Sequence, residues 1–345
     1  MEKSKLYAVV MAGGRGERFW PLARKERPKQ MLPLIGRRTL IEETVQRLFP
    51  LFAPENIMVI TNDSLVAEMR ELLPIPVENI VGEPDRRDTA PCVALGTALI
   101  RRRDPHATMV MMPADHVIKP QKKFHSLLIA AADAAASGAL VTLGVVPTFA
   151  ATGYGYIHAE EGDSEGFRRV LEFREKPDSA TAEQFFQDGN YLWNSGIFVW
   201  RVEAISEALR RFAPELGRKC DAWASGSDFR ADFGECEKIS IDYAIMEKAD
   251  NVLVGGLRLY WNDIGSWSSL YSLLPQDEDG NAVNGPVATL DSTGNLIWSD
   301  GVLIGVIGMH GVAVVKSGDG LLVCPMSEEQ RVKELIRRFP DEKYL

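Results

Sequence analysis

Gly13, Gly14 and Gly16 follow directly on the apolar run Leu6–Met11, and six Arg or Lys residues lie between Gly14 and Gln30. The chain as a whole is acidic, with a formal net charge of −9. Successive glycines let backbone N–H groups approach an anion closely, and a helix N-terminus nearby adds partial positive charge. Arg15, Arg18 and Lys29 can then neutralise a triphosphate. The same residues also read as a tight turn followed by a solvated basic helix. Two familiar phosphate loops fail on required residues. The G-x-G-x-x-G fingerprint meets Phe19 at its third glycine, and no glycine here is followed by Lys-Ser or Lys-Thr as a Walker loop demands.

Such a loop needs a strand before it, and the first 150 or so residues alternate strand-like and helix-like patterns. Leu6–Met11, Ile57–Thr61, Val77–Val81, the run TMVMMP that leads to Asp115, and Ala139–Val145 read as strands. Between them, Thr39–Phe49 carries Leu40, Ile41, Val45 and Leu48 on one face. Ser64–Leu73, Ala90–Arg102 and Lys122–Ser137 read as further helices. This alternation predicts an α/β unit with a parallel sheet wrapped by helices. Ligands of such sheets sit beyond the carboxyl ends of the strands, where the glycine loop and Asp115 both fall.

Past Gly153 the pattern turns α+β. From about Asn284, short apolar runs are separated by DSTGN, SDG, HG and SGDG, which predicts a small all-β unit. The expected domains are therefore 1–280 and 281–345. At the end, Ser327 and Gln330 make a capping box before a stripe of Val332, Leu335, Ile336 and Phe339, read as a helix in core or dimer contact.

Composition bounds the partners. At 46% apolar and 25% charged over 345 residues the chain is ordinary for a globular protein. Its acidity argues against nucleic acid or an anionic membrane as partner. Cys92, Cys220, Cys236 and Cys324 are scattered without paired spacing, as buried thiols in a reducing cytoplasm would be. No stretch approaches the roughly 20 apolar residues of a membrane helix. A cytoplasmic protein is expected.

The stretch G-G-x-G-x-R-(x)2-P-L…P-K, here Gly13, Gly14, Gly16, Arg18, Pro21, Leu22, Pro28 and Lys29, resembles the signature of the sugar-1-phosphate nucleotidylyltransferases. Phe19-Trp20, GEPDRRDTAP (82–91), PADH (113–116), TGYGYI (152–157), EFREKP (172–177), WNSGIF (193–198), SIDYAIMEK (240–248) and WNDIGSW (261–267) resemble, in order, the branch that makes GDP-mannose. The resemblance implies a Rossmann-like, glycosyltransferase-A-like α/β fold. Its sheet would be mixed and mostly parallel, flanked by helices, with a small β-helix-like C-terminal domain ending in a helix.

GTP and mannose 1-phosphate are the implied partners, with Mg2+ or Mn2+ as cofactor and a homodimer as the assembly. Arg18, Lys29, Asp115 and Lys176 would be catalytic. Ala12, Gly13, Gly14, Arg15, Gly16, Glu83, Arg87, Asp88 and Thr89 would bind the nucleotide. Gly153, Tyr154, Gly155, Glu175, Lys176, Asn194 and Asp242 would bind the sugar phosphate. Asp115 and Asp263 would hold the metal, since Mg2+ is content with a few carboxylates, waters and phosphate oxygens.

Bland readings stand beside several of these. Asp263 equally makes an Asx turn. Glu83 can be a surface glutamate before Pro84, and Asn194-Ser195-Gly196 a simple turn. Glu175-Lys176 can be a solvated pair, and SIDYAIMEK an ordinary capped helix. Where the branch often has Asn, this chain has Asp88; either side chain can accept from a ribose hydroxyl. Another hexose 1-phosphate with another nucleotide, or a sensor without turnover, are the alternatives.

Overall fold

The computed structural model describes residues 5–161 and 166–344. The outermost residues of the expected domains, 1–4 and 345, lie outside the described residues. Two compact units form. The first takes in the chain up to Gly13, Val45–Pro113 and Ile118–Trp261; the second takes in Gly14–Thr44, Ala114–Val117 and the chain from Asn262 onward.

The strands up to the end of the first unit are β1 (Leu6–Ala12), β2 (Ile57–Asn62), β3 (Ile80–Glu83), β4 (Thr108–Pro113), β5 (Val117–Lys119), β6 (Leu140–Val145), β7 (Tyr156–Ala159), β8 (Phe167–Arg174), β9 (Tyr191–Arg201), β10 (Val252–Gly256) and β11 (Tyr260–Asn262). The short β5 and β11 fall where the chain changes unit. The others make one nine-stranded sheet in the order β3-β2-β1-β4-β9-β6-β10-β8-β7. β1 and β4 are buried almost throughout, as continuous apolar runs require when both faces of a strand are covered.

Ladders between β1 and β2, β1 and β4, β2 and β3, and β6 and β10 are parallel. β9 is antiparallel to both β4 and β6, β8 to β10, and β7 to both β8 and β9. Only β8 and β9 therefore run against the other seven of the nine strands. The sheet is mixed and mostly parallel, as expected, but the alternation of the first 150 residues does not complete it. β9, from beyond that region, fills its centre and buries Phe198, Val199 and Trp200.

The expected strand Val77–Val81 begins only at Ile80, after a 3-10 turn over Val77–Asn79. The Asn79 amide holds that turn, donating to the carbonyls of Ile57 at 2.8 Å and Glu55 at 2.9 Å.

In the second unit, short strands β12 (Ala282–Asn284), β13 (Val287–Leu290), β14 (Leu296–Ser299), β15 (Ile304–Ile307) and β16 (Val312–Ser317) stack as parallel coils, and β17 (Gly320–Pro325) returns antiparallel on β16. Buried Asn281 and Asn295 tie successive coils. Asn295 donates to Asn281 Oδ1 at 2.9 Å and accepts from the Val312 N–H at 3.0 Å. This is the expected β-helix-like part. Its core also takes Phe19, Trp20, Leu32 and Trp267, with the Phe19 and Trp267 rings 4.7 Å apart.

The expected C-terminal helix is shorter than the stripe suggested. Met326–Arg331 is 3-10 and only Val332–Ile336 is α-helical, with no side-chain cap. Glu329 explains the departure: its buried carboxylate accepts from the Ser268 N–H at 2.7 Å and hydroxyl at 2.5 Å, pulling the turn inward. Of the stripe, Val332 is buried and Leu335 is 42% exposed.

Candidate active site

Polar side chains named from the sequence collect into two groups, one in each unit. In the second unit Lys29 is the centre. It opens a 3-10 turn after Pro28 and is buried. Its ammonium donates to Asp115 Oδ2 at 2.8 Å and to the Asp263 carbonyl at 2.6 Å. Gly16 lets the glycine loop come this close. Its φ is +67°, and a Cβ there would lie 2.3 Å from Lys29 Cβ. The last glycine of the loop and the lysine of Pro28-Lys29 are thus parts of one packed contact.

Arg18 Nη1 donates to the Gly265 carbonyl at 3.4 Å, and its Nε is buried without a hydrogen-bond partner. A Cβ on Gly14 would meet nothing within 4 Å. Arg15 is half exposed beside Glu17, at 3.8 Å.

Burial alone would raise the pKa of Asp115. The charges of Lys29 and His116 and the hydrogen bond from Lys29 outweigh it and hold the carboxyl below its ordinary value. His116 is buried, with Nε2 3.9 Å from Asp115 Oδ1. Asp115 meets the ammonium through its carboxylate and Asp263 through its backbone carbonyl, and two aspartates held at one lysine offer carboxylate oxygens of the kind a hard divalent cation takes. Such an ion takes one or two carboxylates and completes its shell with water and phosphate oxygens. Among the described residues no group of three or more His, Cys, Asp or Glu gathers as a metal site, so the pair would have to serve.

The first unit carries the rest. Ala12 ends β1 and Gly13 follows. Glu83, at the end of β3, is buried rather than a surface residue, and a Cβ on Gly13 would lie 3.3 Å from its Oε2. Glu83 Oε1 is buried with no hydrogen-bond partner. Burial pushes the Glu83 pKa from 4.5 to about 7, while a hydrogen bond with Cys92 and the charge of Arg86 pull the other way. Asp88, at φ +67°, caps the helix Thr89–Arg103 by accepting from the Thr89 N–H at 2.7 Å. Arg87 pairs with Asp85 at 2.7 Å and leaves its Nε buried without a partner. The Thr89 hydroxyl accepts from the Ile241 N–H at 2.8 Å.

Gly155, Glu175, Lys176, Asn194 and Asp242 also come together in this unit. Lys176 Nζ meets the buried Glu175 carboxylate at 2.5 Å. A Cβ on Gly155 would strike Glu175 Oε2 at 2.5 Å. Asn194 donates to Asp242 Oδ1 at 2.9 Å and accepts from Thr142 at 3.0 Å. Burial raises the Asp242 pKa to about 7, Glu175 adds to the rise, and Lys176 opposes it. For Lys176, burial lowers the pKa, but the carboxylates of Glu175, Asp242 and Asp88 outweigh it and the net shift is upward. Two buried acids therefore share one lysine. Tyr154 packs against Trp193 at 4.9 Å and Trp261 at 5.6 Å, whereas Gly153 faces open space.

SIDYAIMEK is not the ordinary capped helix that was one reading of it. Asp242–Met246 is a π-helix, closed by a 3.0 Å bond from the Glu247 N–H to the Asp242 carbonyl. Sequence reasoning gave no role to Cys92, Thr142, Tyr243 or Glu247. Of these, Tyr243 and Glu247 lie in a stretch already singled out, SIDYAIMEK.

Residues 7–280 match the family described as nucleotidyl transferase, and residues 285–339 match the MannoseP isomerase/GMP-like beta-helix domain. The chain is 39% identical to the mannose-1-phosphate guanylyltransferase of Salmonella muenchen, over 96% of its own length and 73% of that protein's. It is 38% identical to the xanthan biosynthesis protein XanB of Xanthomonas campestris pv. campestris (strain B100), over 97% and 73% respectively. A solved structure from Thermus thermophilus, described as a mannose-1-phosphate geranyltransferase, superposes with a TM-score of 0.90 at 35% identity, over 97% of this chain and 99% of that one. The coiled C-terminal part thus falls where the resemblance implied, and the chain belongs to the nucleotidyl transferase family.

Proposed function

We propose that this enzyme transfers GMP from GTP to mannose 1-phosphate and releases pyrophosphate. A sugar-phosphate oxygen attacks the α-phosphorus in line. The bond from that phosphorus to the bridging oxygen of the β-phosphate breaks, and its electron pair leaves with pyrophosphate. Catalysis of this kind is positioning and charge stabilisation.

The observation that carries the base assignment is Glu83. It is a buried carboxyl with one oxygen unpartnered, beside the first glycine of the loop. Ionised, it can accept from both N1–H and the 2-amino group of guanine, a pair of donors adenine lacks. Ala12 to Gly16 would supply backbone N–H groups, Arg15, Arg18 and Lys29 would meet the triphosphate, and Arg87, Asp88 and Thr89 the ribose side of the nucleotide. Glu175, Asn194, Asp242 and the 153–155 backbone would take the hexose hydroxyls, and Lys176 its phosphate. Asp115 and Asp263 would hold Mg2+ or Mn2+, which when bound neutralises charge between the two reacting anions.

We assign the reaction to residues 1–280 and a supporting role to 281–345. A homodimer is the expected assembly, to be checked by light scattering. The free cysteines, three of them buried, suit a reducing compartment such as the cytoplasm. The test is pyrophosphate release with mannose 1-phosphate and Mg2+, comparing GTP, ATP, dTTP and UTP, with a chelator control. GTP preference abolished by chelator is the expected result. Equal rates with ATP would remove Glu83 as the guanine reader.

A further inference from the structure

The π-turn poses a question of its own. π-helical turns are rare and concentrate at functional sites, yet Asp242 alone among the residues of this turn takes part in the sugar-phosphate site proposed for the first unit. The stretch from Ile239 to Glu247 bonds to three separated segments, each carrying residues of that unit's site. At its start, the Ala90 N–H donates to the Ile239 carbonyl at 3.1 Å and the Ile241 N–H to the Thr89 hydroxyl at 2.8 Å. In its middle, Asp242 accepts from Asn194 at 2.9 Å. At its end it grips Glu175 from both sides. The Tyr243 hydroxyl donates to the Glu175 carbonyl at 3.3 Å, and Glu247 Oε1 accepts from the Glu175 N–H at 2.9 Å.

That grip falls where the backbone needs it. Lys176 has φ +44°, a left-handed region that is unfavourable for a non-glycine residue and persists only where surroundings enforce it. Tyr243 is 44% exposed, and Glu247 is exposed as well. Neither side chain is needed for the core, to which this turn contributes Ala244, Ile245 and Met246.

We propose that Tyr243 and Glu247 are positioning residues for Lys176. They fix the peptide groups on either side of Glu175, so that the next residue keeps its left-handed backbone and its ammonium stays on Glu175. This rests on the reading of Lys176 as a ligand of the sugar phosphate. The wider segment sets the distance between the Thr89 helix start, Asn194 and the Glu175-Lys176 pair.

The full-length protein and its E247A, E247Q, Y243F, K176A and K176A/E247A variants would be compared in two assays. The first is steady-state pyrophosphate release. E247A should lower kcat/KM for mannose 1-phosphate about 10-fold with the KM for GTP unchanged, and Y243F about 3-fold. E247Q keeps an oxygen acceptor and should recover to within about 2-fold of the parent. On the K176A background, E247A should add nothing, since residues acting through one group are not additive.

The second assay needs no activity: acylation of Lys176 by an amine-reactive reagent, followed by mass spectrometry. Loosening the grip should raise the Lys176 labelling rate in E247A several-fold, with melting temperatures of all variants close to the parent's. If no nucleotide supports turnover but labelling still rises, the substrate reading fails and the positioning role stands. Unchanged Lys176 labelling in E247A, additive losses in the double variant, or E247Q as impaired as E247A would each overturn the proposal.

Discussion

Replacing Glu83 by Gln should make the unliganded protein more stable at pH 8 while removing its grip on guanine. Folding moves the Glu83 pKa from 4.5 to about 7, mainly by burial. At about 1.4 kcal/mol for each tenfold change in proton affinity, that displacement is on the order of 3 kcal/mol. The sign follows from linkage: the folded protein holds a proton that the unfolded chain releases above pH 4.5. The parent therefore loses stability between about pH 4.5 and pH 7, then levels off. Gln carries no charge to desolvate, so its curve lacks this fall. A buried amide left partly unpaired costs about 1–3 kcal/mol at every pH, which takes away part of the gain at pH 8 and makes E83Q the less stable protein at pH 4.5. Asp242, displaced in the same direction, is common to both proteins and cancels in the difference.

Urea unfolding of both proteins without ligand, from pH 4.5 to 8, measures that difference. It should swing by on the order of 3 kcal/mol in favour of E83Q. At pH 8, GTP should raise the parent's melting temperature and leave that of E83Q nearly unmoved. Parallel stability curves across this range would refute the claim that burial raises the Glu83 pKa on folding. A GTP shift retained in E83Q would separately remove it from base recognition.

Lys29→Ala should lower kcat/KM about 100-fold or more on the proposed role of its ammonium against phosphate charge in the transition state; near-normal turnover would sink that role. Gly16→Ala must place its Cβ 2.3 Å from Lys29 Cβ at φ +67°, costing about 1–2 kcal/mol for the backbone and about 1–3 more for the overlap. Gly14→Ala, which meets nothing within 4 Å, is the matched control in thermal melts. Chelation should abolish turnover and Mg2+ restore it, with Asp115→Asn raising the concentration required about 10–100-fold by titration; an unchanged requirement would remove Asp115 from the metal pair.

The features legible in the sequence were those set by local pattern. The apolar run β1, the glycines after it and Asp115 beyond β4 all rest on short-range rules. The burial of Glu83 was not legible. A glutamate before proline has the same local look whether β3 lies at the surface or beside Gly13, and the pairing of β2 with β3 decides which. The Gly16–Lys29 contact spans a turn whose path depends on Phe19 packing on Trp267, far along the chain. The π-turn was hidden for a similar reason. One extra residue in a helical turn leaves apolar spacing almost unchanged, and the partners of Tyr243 and Glu247 lie around residue 175.

The place of β9 bears on how the chain is made. β4 and β6 each pair with it and not with one another. A ribosome that has delivered the first 150 residues has therefore released two strands whose shared neighbour, Tyr191–Arg201, does not yet exist. At about 5–20 residues per second the gap lasts a few seconds. Through that interval the nascent chain carries open hydrogen-bonding edges on a half-built sheet. Folding of the first unit is thus bound to wait for its later segment, and a fragment ending near residue 150 should need a holding chaperone to stay in solution.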